Sequence, residues 1–244
     1  MSKKYPYITC LMECSVDGRL DETRWSKLFD ERGEGTPDVF YETFDLLSPE
    51  CSLIGKTSVQ KHCDVGEFKA PRTEEPVPDP FFRGIRSRSM LTAIFDSRGT
   101  LSYNSNIIFN GTAVAVLGRR CVSEAYLRHL REREVSYTFA GDDGRDLHEA
   151  VRSLREDFGV KNMVLSGGGV LNGSFLKAGL IDELYLVLYP GIDGLHGIYS
   201  IFEYFGTPGE LPCSGQSLEL LSCEQCRAGV VRLRYKFHSQ EQKE

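Results

Sequence analysis

An α/β fold is predicted, three layers deep, with a mixed, mostly parallel sheet and an antiparallel hairpin at its C-terminal end. Three observations carry this. Short apolar runs alternate with segments of helical periodicity along most of the chain. Several of those runs are apolar on both faces, as strands covered by helices on either side must be. The last two runs flank a short turn, and the second alternates apolar with basic residues, the mark of an antiparallel strand with one wet face.

In chain order, the strand-like runs are YITCLME (7–13), CSLIG (51–55), MLTAIF (90–95), TAVAVLG (112–118), VSYTFA (135–140), NMVLS (162–166) and ELYLVLYP (183–190). Helices fall between them. PDVFYETFDLL (37–47) opens on proline, whose fixed φ and missing N–H suit the first helical position. GKTSVQKHC (55–63) reads as a short helix leaving a strand. In VSEAYLRHLRERE (122–134), Val122, Ala125, Tyr126 and Leu130 form one apolar face, and Ser123 with the acids after it suits the start. In RDLHEAVRSLREDFG (145–159), Leu147, Ala150, Val151, Leu154 and Phe158 share a face, and Gly159 is the stop. The hairpin comprises QSLELLSCE (216–224), a turn at Arg227-Ala228-Gly229, and VVRLRYKFH (230–238). In its second strand Val231, Leu233, Tyr235 and Phe237 alternate with Arg232, Arg234 and Lys236. Residues 64–88 hold four prolines and many charges; they form a loop too long for a mere connection, and one suited to covering a site.

The net charge of −6 argues against a nucleic-acid partner held by broad electrostatics, while leaving room for a local basic pocket. No apolar run reaches the ~18 residues of a membrane span. The start, MSKKYPYITCLMEC, passes from two lysines straight into a strand without a signal-peptide pattern, so a cytoplasmic protein with no membrane partner is expected. Of eight cysteines only Cys223 and Cys226 form a close pair, and in a strand positions i and i+3 face opposite ways. Reduced, packed thiols are the expectation, and no metal site is assigned. The five histidines are scattered; His129 and His148, in predicted helices, read as surface or packing residues.

MVLSGGGVLNGSFLKAGLIDELYLVLYP (163–190) sets Gly167, Gly168 and Gly169 between a strand and a helix from about 170 to 178, closed by Gly179. The first turn of a helix leaves amides free and its dipole favours anions, while glycines let a phosphate approach the backbone. A nucleotide pyrophosphate fits such a turn, and so does a tight corner with nothing bound. The spacing is neither GxGxxG nor GxxxxGK[ST], so neither the Rossmann nor the P-loop assignment is available.

The same stretch, through LSGGGVLNGSFLKAGLIDELYLVLYPGIDG, resembles the RibD C-terminal family, the pyrimidine reductases of riboflavin biosynthesis, within the dihydrofolate reductase-like fold. MECSVDGRLD, LIGKTS, IFDSRGTL and VKNMVLSGGG resemble its other segments in the same order. The resemblance covers roughly residues 7–238 of a single domain, 1–244, and is weakest at 60–88. It implies NADPH as cofactor, a homodimer, and reduction of a ribosylamino pyrimidine phosphate, the ribose opening to a ribityl chain. Gly167, Gly168 and Gly169 match the family's cofactor-phosphate turn, followed by Leu171 and Asn172. Gly55, Lys56 and Thr57 match a second cofactor turn. Ser97 and Arg98, at a strand end, are candidates for the 2′-phosphate of NADPH, with Arg119 and Arg120 as the alternative. Ser15, Asp17 and Gly18 match the loop beside nicotinamide and substrate, where Asp17 is expected to hydrogen-bond substrate or help deliver a proton. Hydride transfer asks little more of the protein than distance, orientation and polarity, so no catalytic triad is expected.

Two departures fall on the substrate side. Members of the family often carry H-x-L-R before a D-A-I strand, where this chain reads YETFDLLSPECSLIG. They often carry Glu before the glycines, where this chain has Ser166, itself assigned to the substrate side. Arg72, Arg83, Arg86 and Arg88 are candidate replacements for a substrate-phosphate contact. Another pterin-like or small heterocyclic substrate, and a non-catalytic nucleotide-binding scaffold, remain alternatives.

Overall fold

The structure, a computed structural model, describes residues 5–29, 38–69 and 81–239. Pro37, Arg72 and residues 70–80 of the long loop lie outside the described residues. The chain forms two compact units interleaved in sequence, one of residues 1–7 and 49–163, the other of residues 8–48 and 164–244.

The first unit is built on parallel strands. β2 (Cys51–Gly55), β4 (Leu91–Phe95) and β7 (Gly111–Leu117) lie side by side, and β8 (Ser136–Phe139) pairs with β7 in parallel. Every residue of β7 is buried. Helix α2 (Lys56–His62) follows β2, α3 (Glu124–Glu132) lies between β7 and β8, and α4 (Leu147–Glu156) follows β8. Their starts follow from their caps: Ser123 accepts the Tyr126 N–H and Asp146 accepts the Glu149 N–H. Leu147, Ala150, Val151 and Leu154 are buried as the periodicity requires. Phe158 lies past the end of α4, edge-on to Phe81. Gly159, at φ +75°, closes the helix through its N–H to the Arg155 carbonyl. The core joins Ile94, Leu101, Tyr103, Ala115, Leu117, Tyr126, Leu127, Leu130, Tyr137 and Phe139.

Small strands went unread in the sequence because two residues carry no period. β3 (Gly66–Glu67) pairs antiparallel with β5 (Leu101–Ser102), and β6 (Ile107–Ile108) pairs antiparallel with the start of β7. Part of the long loop is therefore anchored. Phe68 stacks on His129, and Phe82 bridges to Tyr137. His129 accepts the Tyr103 N–H at 3.2 Å and is a packing residue, while His148 is an exposed residue whose ring lies against Tyr5.

In the second unit β1 (Tyr7–Ser15) pairs in parallel with β10 (Glu183–Tyr189). The hairpin of β11 (Gln216–Gln225) and β12 (Val231–Ser239) adds to β10 in antiparallel register. Its turn is the expected one, with Ala228 at φ +55°. β9 (Asn162–Leu165) leads into the glycines and α5 (Gly169–Lys177). α1 (Val39–Leu47) starts two residues later than expected, because Asp38 caps it by accepting the Tyr41 N–H.

The hairpin corrects one expectation. Its second strand is half buried on both faces rather than wet on one: Val231, Leu233, Tyr235 and Phe237 on one side and Arg232 and Arg234 on the other are each partly covered, and Lys236 is exposed. Arg232 and Arg234 lie opposite Val187 and Tyr185 in register, on the face that packs against α1. Arg232 donates to the buried Thr43 hydroxyl at 3.1 Å, and Arg234 forks onto Glu183 with both bonds at 2.9 Å. An arginine with an apolar methylene stem and a matched carboxylate can be partly covered; Leu218 and Leu220 of β11 meanwhile stay half exposed.

Candidate functional site

The glycine turn lies in the second unit. Gly167 takes φ +81°, a conformation open to glycine, and the Gly167–Gly168 peptide is cis. Gly168 is the N-cap of α5 and no side chain caps the helix. The first intrahelical bond is from the Asn172 N–H to the Gly168 carbonyl, so the amides of 169–171 precede the ladder. An anion fits this start. The later glycines answer to packing instead. A Cβ on Gly169 would lie 2.2 Å from the Ser200 carbonyl oxygen, and one on Gly173 would lie 2.1 Å from that of Glu203. Asn172, fully buried, donates to the Ile201 carbonyl at 2.8 Å, while its own Oδ1 is buried with no partner. The Ser166 hydroxyl is buried and unpartnered in the same turn. Two unsatisfied polar atoms beside bare helical amides are a site able to receive a polar group.

A second loop is tied to the same unit. Ser15 is sealed from water at the end of β1, and its hydroxyl donates to Asp17 at 2.6 Å and accepts the Arg19 N–H at 2.9 Å. Gly18, at φ +80°, permits the turn. Asp17 also accepts the N–H groups of Asp193 at 3.1 Å and Gly194 at 2.8 Å. These donors, the Ser15 hydroxyl first and the Gly194 amide next, hold its carboxyl down to about 2. At neutral pH it is ionised and has no proton to give. Arg19 reaches the Ile198 carbonyl at 2.7 Å, and Arg24 forks onto Asp193 at 2.8 and 3.0 Å. Ser15, Asp17 and Gly18 thus clamp residues 191–200 beside the segment that packs on α5. Asp17→Asn removes a charge-assisted acceptor. Amide exchange at Gly194 is expected to accelerate roughly tenfold, read by hydrogen-exchange NMR or mass spectrometry.

Glu13, two residues before Ser15, is half buried, and burial, then repulsion from Glu22 and Asp38, pushes its carboxyl up to about 7. Tyr189, pushed up to about 12 mainly by burial, accepts the N–H groups of Val39 and Phe40 at the start of α1. No local pattern marks Glu13. The groups that act on it, Glu22, Asp38 and Tyr189, come from elsewhere in the sequence.

The remaining candidates lie in the first unit. Gly55 precedes α2 without a side-chain cap. Lys56 donates to the Thr100 hydroxyl at 2.9 Å. Thr57 is exposed. Ser97 is wedged in a turn where its carbonyl accepts the Gly118 N–H and a Cβ on Gly144 would meet its own at 2.2 Å. Arg98 is exposed on that turn. The alternative pair is occupied: Arg119 is bonded to Glu149 at 2.8 Å and stacked on Phe139, and Arg120 is bonded to Asp142 at 2.9 Å. Arg83 and Arg86 line a shallow depression with Glu156 and Asp157, so its charge is balanced rather than basic. Arg88 contacts the Ser87 carbonyl. Among the described residues no cluster of His, Cys, Asp or Glu is arranged for a metal, and all eight cysteines are free thiols.

Residues 6–232 match the RibD C-terminal domain. This chain belongs to that family. Solved structures agree on the fold. The chain is similar to Acinetobacter baumannii RibD with a TM-score of 0.63 and 19% identity, over 98% of this chain and 59% of that one. It therefore spans about three fifths of that RibD chain. A pyrimidine reductase-like protein from Corynebacterium diphtheriae matches with a TM-score of 0.67 and 14% identity, over 96% of this chain and 92% of that one. The riboflavin biosynthesis reductase Rib7 of Saccharomyces cerevisiae matches with a TM-score of 0.60 and 14% identity, over 98% and 92%. None of the curated proteins compared matches the sequence. The RibD C-terminal fold is the dihydrofolate reductase-like, mixed and mostly parallel α/β class expected from the sequence. No helix among the described residues is long and apolar enough to cross a membrane.

Proposed function

We propose that this RibD C-terminal protein is an NADPH-dependent reductase. Its substrate would be the ribosylamino pyrimidine phosphate of riboflavin synthesis, 5-amino-6-(5-phosphoribosylamino)uracil or the diaminopyrimidine equivalent. The observation that carries this reading is the family match running through the Gly167–Asn172 turn, where α5 starts with bare amides and no side-chain cap. The kinds of protein it resembles, a RibD and a riboflavin biosynthesis reductase, support it.

The turn fits a cofactor phosphate through the amides of Gly169, Val170 and Leu171. The nicotinamide, when bound, supplies the hydride. This chain supplies placement and polarity. Gly18 and Ser166 are assigned to the substrate; Ser15, expected there too, is sealed from water and instead holds Asp17, which acts as an ionised acceptor that holds the substrate loop rather than as a proton donor. Arg98 is assigned to the 2′-phosphate in preference to Arg119 and Arg120, whose guanidiniums already have carboxylate partners. The reading includes a cytoplasmic homodimer, whose mass light scattering would give.

Titration with NADPH and NADH, followed by intrinsic fluorescence, tests it. NADPH-selective binding is expected, and turnover of the riboflavin intermediate would follow. Arg98→Ala is expected to weaken NADPH by ~10- to 100-fold, the value of one or two charge-assisted hydrogen bonds, with NADH unchanged. Failure to bind either nucleotide overturns the reductase reading. NADPH binding without turnover of the riboflavin intermediate moves the substrate to another small heterocycle.

A further inference from the structure

Asp96, at the end of β4, is 1% exposed. Its Oδ2 accepts the N–H groups of Thr100 at 2.6 Å and Leu101 at 2.8 Å, which closes the turn around Gly99. Its Oδ1 accepts the Thr100 hydroxyl at 3.0 Å. That hydroxyl oxygen in turn accepts a hydrogen bond from Lys56 Nζ at 2.9 Å. Donor and acceptor roles in this chain are forced. An ionised carboxylate can only accept and an ammonium can only donate, so the hydroxyl must point its one proton at Asp96 and its lone pairs at Lys56.

The turn needs only Oδ2. The Oδ1–Thr100–Lys56 branch does something else: it holds a long, flexible side chain in one place. A lysine on four rotatable bonds is a poor anion contact unless something else sets its position. Here one ammonium N–H is committed and two remain, along with the full charge. The buried Asp96 carboxylate reaches Lys56 through one hydroxyl rather than by direct pairing.

We propose that Thr100 and Asp96 are positioning residues that hold the Lys56 ammonium, through the Thr100 hydroxyl, as a preformed contact for a phosphate oxygen of the dinucleotide. This rests on the NADPH reading above and adds two residues to it, both inside the segment IFDSRGTL and neither given a role by the sequence alone.

Thr100→Val separates the branches, since it keeps the backbone bonds to Oδ2 and removes the hydroxyl. NADPH dissociation constants would be measured for wild type, Thr100→Val, Thr100→Ser, Lys56→Met and the Lys56→Met/Thr100→Val double variant, with thermal melts to confirm folding. Thr100→Ala replaces the valine variant if that does not fold. Thr100→Val is expected to weaken NADPH by ~5- to 10-fold, Thr100→Ser to stay within about twofold of wild type, and Thr100→Val to add less than about twofold once Lys56 is methionine. Lys56→Met is also expected to make the salt dependence of binding shallower, because one ion contact is gone. Additive losses, or an unchanged affinity in Thr100→Val, would overturn the relay. Wild-type affinity in Lys56→Met would remove Lys56 as a contact while leaving the NADPH reading intact. No NADPH binding by wild type would overturn both, and is the only outcome that touches the function itself.

Discussion

Gly173→Ala is expected to lower the melting temperature by ~6–12 °C, from a cost of about 3 kcal/mol at ~2–4 °C per kcal/mol for a chain of this size. The added Cβ would stand 2.1 Å from the Glu203 carbonyl oxygen, 2.4 Å from its carbon and 2.9 Å from the Tyr204 nitrogen. All three are backbone atoms, so no rotamer change relieves the clash. The whole 200–204 segment must lift from α5, and with it the bond from Asn172 to Ile201. Gly179→Ala is the control. Its φ is +64° but nothing lies within 4 Å, so only the backbone term of roughly 1 kcal/mol is expected. Circular dichroism melts of the two variants decide the matter. A Gly173→Ala melt no lower than that of Gly179→Ala would mean that the segment is not seated against the helix.

Glu13→Gln is expected to stabilise the protein at alkaline pH and to do little near pH 5. In the folded chain the Glu13 carboxyl is pushed up to about 7 from its ordinary 4.5, by burial first and by Glu22 and Asp38 after it. Between those two values the folded state binds the proton that the unfolded state has released. Stability therefore falls as pH rises through this window and levels off above pH 7, where the charge is buried at full cost. Discounted for partial exposure, the penalty is ~2 kcal/mol, or about 4–8 °C in melting temperature. Glutamine keeps the shape and never ionises. Melts at pH 5 and pH 8.5 measure the difference. An equal gap at both values would mean that Glu13 is not the titrating group. Asp17 has the opposite sign. Its lowered carboxyl contributes stability above its ordinary 3.8, which is lost as pH falls toward 2.

The strands at 51–55, 91–95 and 183–189 were legible because their apolar runs are bounded by glycine, proline and charge, and local sequence contains all of that information. Helices α3 and α4 were legible from one face and one cap each. The glycine turn was legible as a turn, but not the reason for each glycine: Gly169 and Gly173 are set by a segment about thirty residues further on. Asp17 was legible as a turn carboxylate in Asp-Gly, whereas its low proton affinity needed the Asp193 and Gly194 amides. Lys56 was singled out in its motif; Asp96 and Thr100 lie in the matched segment IFDSRGTL, but their hydrogen bonds toward Lys56 were visible only in the structure.

By itself, then, the sequence determined the order and type of the main elements, the family, and the position of the turn able to take a phosphate. These depend on periodicity, capping and short spacing, which act over a few residues. Only the tertiary structure decided that Arg234 of the last strand is paired with Glu183, that Glu13 is driven toward neutral pH, and that α5 carries its glycines against the 200–204 backbone. Those outcomes turn on desolvation and close approach between residues distant in the chain, and neither quantity exists until the chain has folded.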